Sequence, residues 1–156
     1  MIICECDGAS RGNPGLSASS FRIVRGKNVL HTDSQFLGDA ITNNEAEYRA
    51  TINCLKFLHE QWRLLEANKD AMTIHPDLLT NAYIVLTSDS QLVMSHLTGV
   101  YRVKEKKLQP LFQEALQLIM TFPRKISLVW KPREQLQEVD RLNNITLDKH
   151  AKSYIA

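Results

Sequence analysis

No run of apolar residues in this chain is long enough to cross a bilayer, and the N-terminus lacks the basic-then-apolar order of a secretory leader. A membrane role is therefore not expected, and the reading is a cytoplasmic protein. Cysteine is scarce. The three residues Cys4, Cys6 and Cys54 are an odd number, and two of them sit two apart on one predicted strand. That argues against a disulfide framework and puts Cys4 and Cys6 on one strand face, as small buried apolar groups in a reducing setting. An excess of either charge is missing as well. The formal net charge is +2, so overall charge announces no partner, and any nucleic-acid contact must come from local distribution. Repeats, low-complexity tracts and linkers are absent too. What remains is 156 residues that fit one domain, residues 1–156, with a sizeable core.

What is present begins with a first strand, residues 2–7, that runs into Asp7 and then into a turn rich in Gly, Asn and Pro. An acid at a strand end, followed by a tight turn, is held the way a divalent-metal ligand is mounted, although Asp is common at turns in any case. Two more strands follow over 16–24 and 28–37, joined by the hairpin turn Arg25-Gly26-Lys27. Thr42 or Asn43 is a natural N-cap for a helix whose apolar and aromatic positions, Tyr48, Ile52, Leu55, Leu58, Trp62 and Leu65, recur at spacings of three and four. Residues 67–81 are long for a connection. Pro76 forbids a continuous helix there, Leu78 and Leu79 suit a short helical turn, and the segment suggests no role.

Residues 82–87 are a continuous apolar run of strand length, as in a strand buried on both faces of a parallel sheet. A helix over 90–97 stops at Gly99. A second spans 108–122 with Leu111, Ala115, Leu118 and Ile119 inward. A strand over 125–130 ends at Pro132, and a last helix over 136–154 offers Val139, Leu142, Ile145 and Leu147 to the core. Strands that first pair by hairpins and later return through helices demand an α/β fold. Its mixed sheet is antiparallel at one edge and parallel at the other, with helices on its faces.

Acids recur where this topology would gather them. Asp7 closes the first strand, Asp89 lies just past the buried one, and Glu45 and Glu47 stand early in the first helix. Parallel strands present their carboxyl ends on one edge, where such sheets bind ligands. Carboxylates converging there repel one another and are costly to desolvate unless a cation joins them. Hard oxygen donors select magnesium or manganese. Taken singly, each early-helix Glu also suits the helix dipole.

Four segments carry a resemblance. Asp7-Gly8-Ala9-Ser10-Arg11-Gly12-Asn13-Pro14-Gly15, Thr42-Asn43-Asn44-Glu45-Ala46-Glu47-Tyr48 and Thr87-Ser88-Asp89-Ser90-Gln91-Leu92-Val93 resemble the motif series of type 1 ribonuclease H. The tail Pro132-Arg133-Glu134 … Glu138-Val139-Asp140-Arg141-Leu142-Asn143-Asn144 is similar to that family's last motif. The match runs in the family's order over nearly the whole chain. It implies a ribonuclease H-like five-stranded mixed sheet, three strands antiparallel and the rest parallel, with helices on both faces.

The resemblance further implies four catalytic, metal-binding carboxylates: Asp7, Glu47, Asp89 and Asp140. The family's glutamate follows the paired Asn with two residues between, which selects Glu47 over Glu45. Asp148, eight residues beyond Asp140, is the alternative fourth acid. The implied reaction is endonucleolytic hydrolysis of the RNA strand of an RNA–DNA hybrid, leaving 5′-phosphate and 3′-hydroxyl ends. Two Mg2+ ions per site would serve it, one activating water and one stabilising the leaving oxygen, with Mn2+ able to substitute. Recognition must sense 2′-hydroxyls. The resemblance points to Asn43, Asn44 and Gln91 for the minor groove, with Ser90 beside them, and to Asn13 and Thr42 for phosphates. These side chains both donate and accept, and the same chemistry serves caps and turns. A monomer is the default.

Two departures stand out. Many relatives carry a His shortly before the last Asp. Here the loop reads Lys131-Pro132-Arg133-Glu134-Gln135, and Arg133 or Glu134 is the candidate substitute. Many also carry a protruding basic helix, of which only Arg102-Val103-Lys104-Glu105-Lys106-Lys107 remains. Lys104, Lys106 and Lys107 are candidates to grip the DNA strand's backbone, against the plainer reading of a solvated face. Other classes on the same fold are a non-catalytic nucleic-acid-binding domain and a DNA-acting nuclease. The complete acid set argues against the first.

Overall fold

Ile2, Cys4 and Cys6 alternate with Ile3, Glu5 and Asp7, and a period of two sends the two sets to opposite faces of a strand. A computed structural model describes the backbone of residues 1–155 and the side chains of residues 1–151. In it that first strand, β1 (Ile2–Arg11), lies at the centre of one sheet. The other elements in chain order are β2 (Gly15–Arg25), β3 (Asn28–Ile41), α1 (Asn43–Ala67), α2 (Pro76–Asn81), β4 (Ile84–Ser88), α3 (Gln91–Leu97), α4 (Gln109–Thr121), β5 (Ile126–Trp130) and α5 (Gln137–Ile155).

The strand order is β3-β2-β1-β4-β5. β1–β2 and β2–β3 are antiparallel, and β1–β4 and β4–β5 are parallel. This is the expected five-stranded mixed sheet. Ile2, Cys4 and Cys6 turn toward α1 and join its buried Tyr48, Ile52, Cys54, Leu55 and Leu58 in the main core. All three cysteines are buried and free; burial of Cys4 and Cys6 was expected, and Cys54 joins them. α5 covers the other face, where its Asn143 reaches Asp7 and its Val139 and Leu147 are buried. Among the described residues no helix is long and apolar enough to cross a membrane.

Three expectations are corrected. Asp7 is not the end of its strand. β1 continues to Arg11 because Gly8–Arg11 keep pairing with Leu16–Ser19 of β2, and only the parallel ladder to β4 stops, at Cys6 opposite Ser88. Ile145 is not a core residue; it is 50% exposed. It lies two positions, roughly 200° of helix turn, from the inward Asn143, so the face it occupies looks to solvent.

Residues 67–81 are also more than a connection. They hold a 3-10 turn at Lys69–Ala71 and then α2, whose Leu79 is fully buried, as is Ile74 before it. The buried Gln61 Oε1 accepts the Thr73 and Ile74 N–H groups at 2.8 and 2.9 Å, which satisfies backbone that burying Ile74 would otherwise leave unpaired.

Candidate active site

Where the β1–β4 ladder ends, the next residues are Asp7 on one strand and Asp89 just past the other. Two side-chain bonds hold the β4 end: the Trp130 indole N–H donates to Asp89 O at 3.0 Å, and the Ser90 N–H donates to Ser88 Oγ at 3.1 Å. Ser90 then caps α3 by accepting the Val93 N–H at 3.2 Å. The third acid arrives on α1. Thr42 and Glu45 form a capping box that sets where this helix starts, so Glu45 is occupied at the cap and Glu47 is left for the site. Gly8 lets α1 come close: a Cβ there would lie 2.2 Å from the Ala46 carbonyl carbon. Its N–H donates to Glu47 Oε2 at 3.2 Å.

Carboxylate oxygens of Asp7, Glu47 and Asp89 lie within 4.8 Å of one another. They line a cleft of about 390 Å³ together with Asp140 and Arg133. Arg133 Nη2 stands 3.5 Å from Asp140 Oδ1. Burial, then the charges of Asp89 and Asp140, push the Asp7 carboxyl up to about 8, against the pull of its hydrogen bond from Asn143. Burial, then Asp7 and Asp89, raise Glu47 well above the usual range. Burial raises Asp89 as well, offset by a hydrogen bond with Asp7 and by the Arg133 charge. Without a cation, then, each of the three carboxyls gives up its proton less readily than a free one. All the cluster's donors are hard oxygens that gain from deprotonation beside a positive charge, a set that fits a magnesium or manganese ion.

The other predicted residues fall into groups. Asp148 does not join the cluster; it is exposed and paired with Arg11 at 2.7 Å. Asn13 Oδ1 accepts the Asn43 N–H at 3.0 Å, which ties the first turn to the start of α1 beside the acids. Asn43 lines the acidic cleft, and Asn44 follows it half-buried. Gln91 is exposed in a neighbouring depression with Trp130. Glu134 lies outside the acidic cleft, in a neighbouring depression that Arg133 and Asp140 share. Lys104, Lys106 and Lys107 are exposed on the connection from α3 to α4, apart from the acids. Lys104 there lines a separate cleft with Leu92, His96 and Tyr101.

One site residue was missed from sequence: Asn143. It is fully buried, and its Nδ2 donates to Asp7 O at 3.0 Å and to Asp7 Oδ2 at 3.2 Å. The available signal was its position three residues after Asp140, hence on the same helix face, as a polar residue within the inward stripe of Val139 and Leu147.

Comparison with known proteins adds to this geometry. The family model described as "Reverse transcriptase-like" matches residues 77–146. A bifunctional protein of Mycobacterium tuberculosis is 33% identical over 157 residues, which are 99% of this chain and 38% of that protein, so the chain spans under two fifths of its length. Ribonuclease HI of Halobacterium salinarum is 34% identical over 145 residues, covering 91% of this chain and 62% of that one. The crystal structure of LC11-RNase H1 in complex with an RNA/DNA hybrid aligns with a TM-score of 0.77 at 30% identity, over 97% of this chain and 99% of that one.

Proposed function

Since the chain belongs to the type 1 ribonuclease H family, we propose that it hydrolyses the RNA strand of RNA–DNA hybrids, using divalent metal ions held by Asp7, Glu47, Asp89 and Asp140. The observation that carries this reading is the carboxylate trio, with oxygens within 4.8 Å of one another at the end of the β1–β4 ladder. When bound there, the ions would polarise the scissile phosphate and make a nucleophile of water, so that no protein nucleophile is required.

The protein's part is to hold and select. Gly8 orients Glu47, and the neighbouring β-strands present Asp7 and Asp89 side by side. The carboxyls would have to give up their protons to serve as ligands. Asn43, Asn44 and Gln91 are assigned to the minor groove, where 2′-hydroxyls distinguish the RNA strand. Ser90 orients Gln91 as the cap of its helix. Asn13 and Thr42 are assigned to phosphates, and the Asn13–Asn43 bond couples these two groups of contacts. Lys104, Lys106 and Lys107 are assigned to the DNA backbone.

End-labelled RNA–DNA hybrid, duplex RNA and duplex DNA, each incubated with Mg2+, Mn2+ or EDTA, test the proposal. The expected result is cleavage of the hybrid's RNA strand with either metal and none with EDTA, the products carrying 5′-phosphate and 3′-hydroxyl ends that a ligase rejoins without prior phosphorylation. Comparable cleavage of duplex DNA, or hybrid binding without cleavage in either metal, overturns it.

A further inference from the structure

Asp7 belongs to a polar row that runs across three strands. Its cross-strand partner on β2 is Ser20, and the partner of Ser20 on β3 is Ser34. Directly paired residues share a face, so the three side chains stand in line beneath α5. α5 answers with Asn143 and Thr146, three apart and on one helix side. Ser20 Oγ lies 2.6 Å from Asn143 Oδ1 and 2.8 Å from Ser34 Oγ, and Ser34 Oγ lies 2.6 Å from Thr146 Oγ1.

The chemistry of the groups fixes the sense of the Asn143 amide. Its Nδ2 faces the carbonyl and carboxylate of Asp7, both acceptors. Its Oδ1 faces the Ser20 hydroxyl, which has a proton to give. Flipping the amide would set oxygen against oxygen on the Asp7 side and take away the acceptor of the Ser20 hydroxyl on the other. Asn143 therefore grips Asp7 at two points, main chain and side chain, and Ser20 keeps that grip in register.

We infer that Asn143 is a positioning residue for the metal ligand Asp7 and that Ser20 acts on Asp7 through it. The inference rests on the nuclease reading for the identity of the ligand, but it concerns a part of the fold outside the four acids. An unbraced Asp7 carboxylate is free to rotate toward or away from its neighbours, and freezing it becomes part of the work of binding a metal. Outer-sphere partners of this kind are worth about 10- to 100-fold in metal affinity or activity.

The test uses Asn143→Leu, which keeps the branched outline of the side chain and removes the hydrogen bonds, Ser20→Ala, and the double variant. Mn2+ affinity is measured by titration calorimetry on the protein without nucleic acid, alongside kcat and KM on the hybrid and melting temperature in EDTA. Asn143→Leu should weaken Mn2+ binding about tenfold and lower kcat with it, with KM for the hybrid unchanged. Ser20→Ala should give a smaller loss of the same kind, and that loss should vanish in the Asn143→Leu background, because the substitution leaves the strand pairing with Asp7 in place and removes only a hydroxyl that bonds to Asn143 and Ser34. Unchanged Mn2+ affinity in a folded Asn143→Leu protein, or a Ser20 effect that persists in the double variant, overturns the inference. If Asn143→Leu does not fold, Ser20→Ala decides: weaker Mn2+ binding at unchanged KM supports the inference, and unchanged binding refutes it. If Asn143→Leu weakens Mn2+ binding but the wild-type protein cleaves no hybrid, the nuclease reading falls and this one stands. If the wild-type protein binds no Mn2+, both fall.

Discussion

Gly8 and Ala46 touch backbone to backbone: a Cβ on Gly8 would sit 2.2 Å from the Ala46 carbonyl carbon and 2.4 Å from its oxygen. Nothing at that spot is a flexible side-chain tip that could move aside. Gly8→Ala should push α1 off β1 and carry Glu47 away from Asp7. We expect a loss of about 1–3 kcal/mol of stability from the overpacking. We expect a fall in turnover of about a hundredfold from the misplaced carboxylate. Denaturant melts and single-turnover kinetics measure the two. Full activity in Gly8→Ala would show that α1 need not approach so closely.

The cluster also predicts an unusual dependence of stability on pH. Asp7, Glu47 and Asp89 all have folded-state pKa values raised above their unfolded ones, Asp7 to about 8. The folded protein therefore holds more protons than the unfolded one between about pH 4 and the raised values. By linkage the stability these groups contribute is fully present below about pH 4 and is lost as pH rises through the folded pKa values. Melting temperature in EDTA should fall from pH 5 to pH 8. Adding Mg2+ should restore the loss at pH 8, and Asp89→Asn should flatten the profile. A flat profile for the wild-type protein in EDTA would mean that burial and crowding do not hold these acids above their unfolded values.

Asp140 and Asp148 should separate cleanly. Asp140→Asn removes a carboxylate from the acidic cleft and should cost about 10- to 100-fold in turnover. Asp148→Asn removes only an exposed partner of Arg11 and should leave turnover unchanged and stability within about 1 kcal/mol. The reverse ranking, measured on the same hybrid, would exchange their roles.

Arg133 stands beside Asp140 at the cleft, and Glu134 follows it outside. Replacing both with Ala should lower turnover about tenfold, with a changed pH–rate profile, if they take over the proton handling of the missing His. Unchanged turnover in the double variant rules that substitution out.

The lysine segment makes a prediction in salt. Neutralising Lys104, Lys106 and Lys107 to Gln should raise KM for the hybrid about tenfold at low salt and leave kcat alone. It should also flatten the dependence of log affinity on log salt by up to about three units, one for each lysine that no longer neutralises a phosphate. A triple variant with the wild-type KM and salt slope would return the segment to the solvated face.

Read alone, the sequence determined the parts of this protein that short-range rules govern. Hydrophobic period and turn chemistry marked all five strands and the main helices. Asp89, just past β4, and the early-helix pair Glu45 and Glu47 were legible because element boundaries have local signals; Asp7 was legible from the Gly-, Asn- and Pro-rich stretch after it, and the choice of Glu47 over Glu45 came from the family resemblance. Tertiary structure decided what depends on partners remote in sequence. β1 ran past Asp7 because β2 was there to pair with it. Residues 67–81 found a purpose only once Gln61 stood behind them. Ile145 turned outward because the side of α5 that meets the sheet is set by where Asn143 and Leu147 land. Asn143 is the plainest case. Its partners lie 136 and 123 residues away, at Asp7 and Ser20, and no local pattern encodes which buried amide will face a carboxylate.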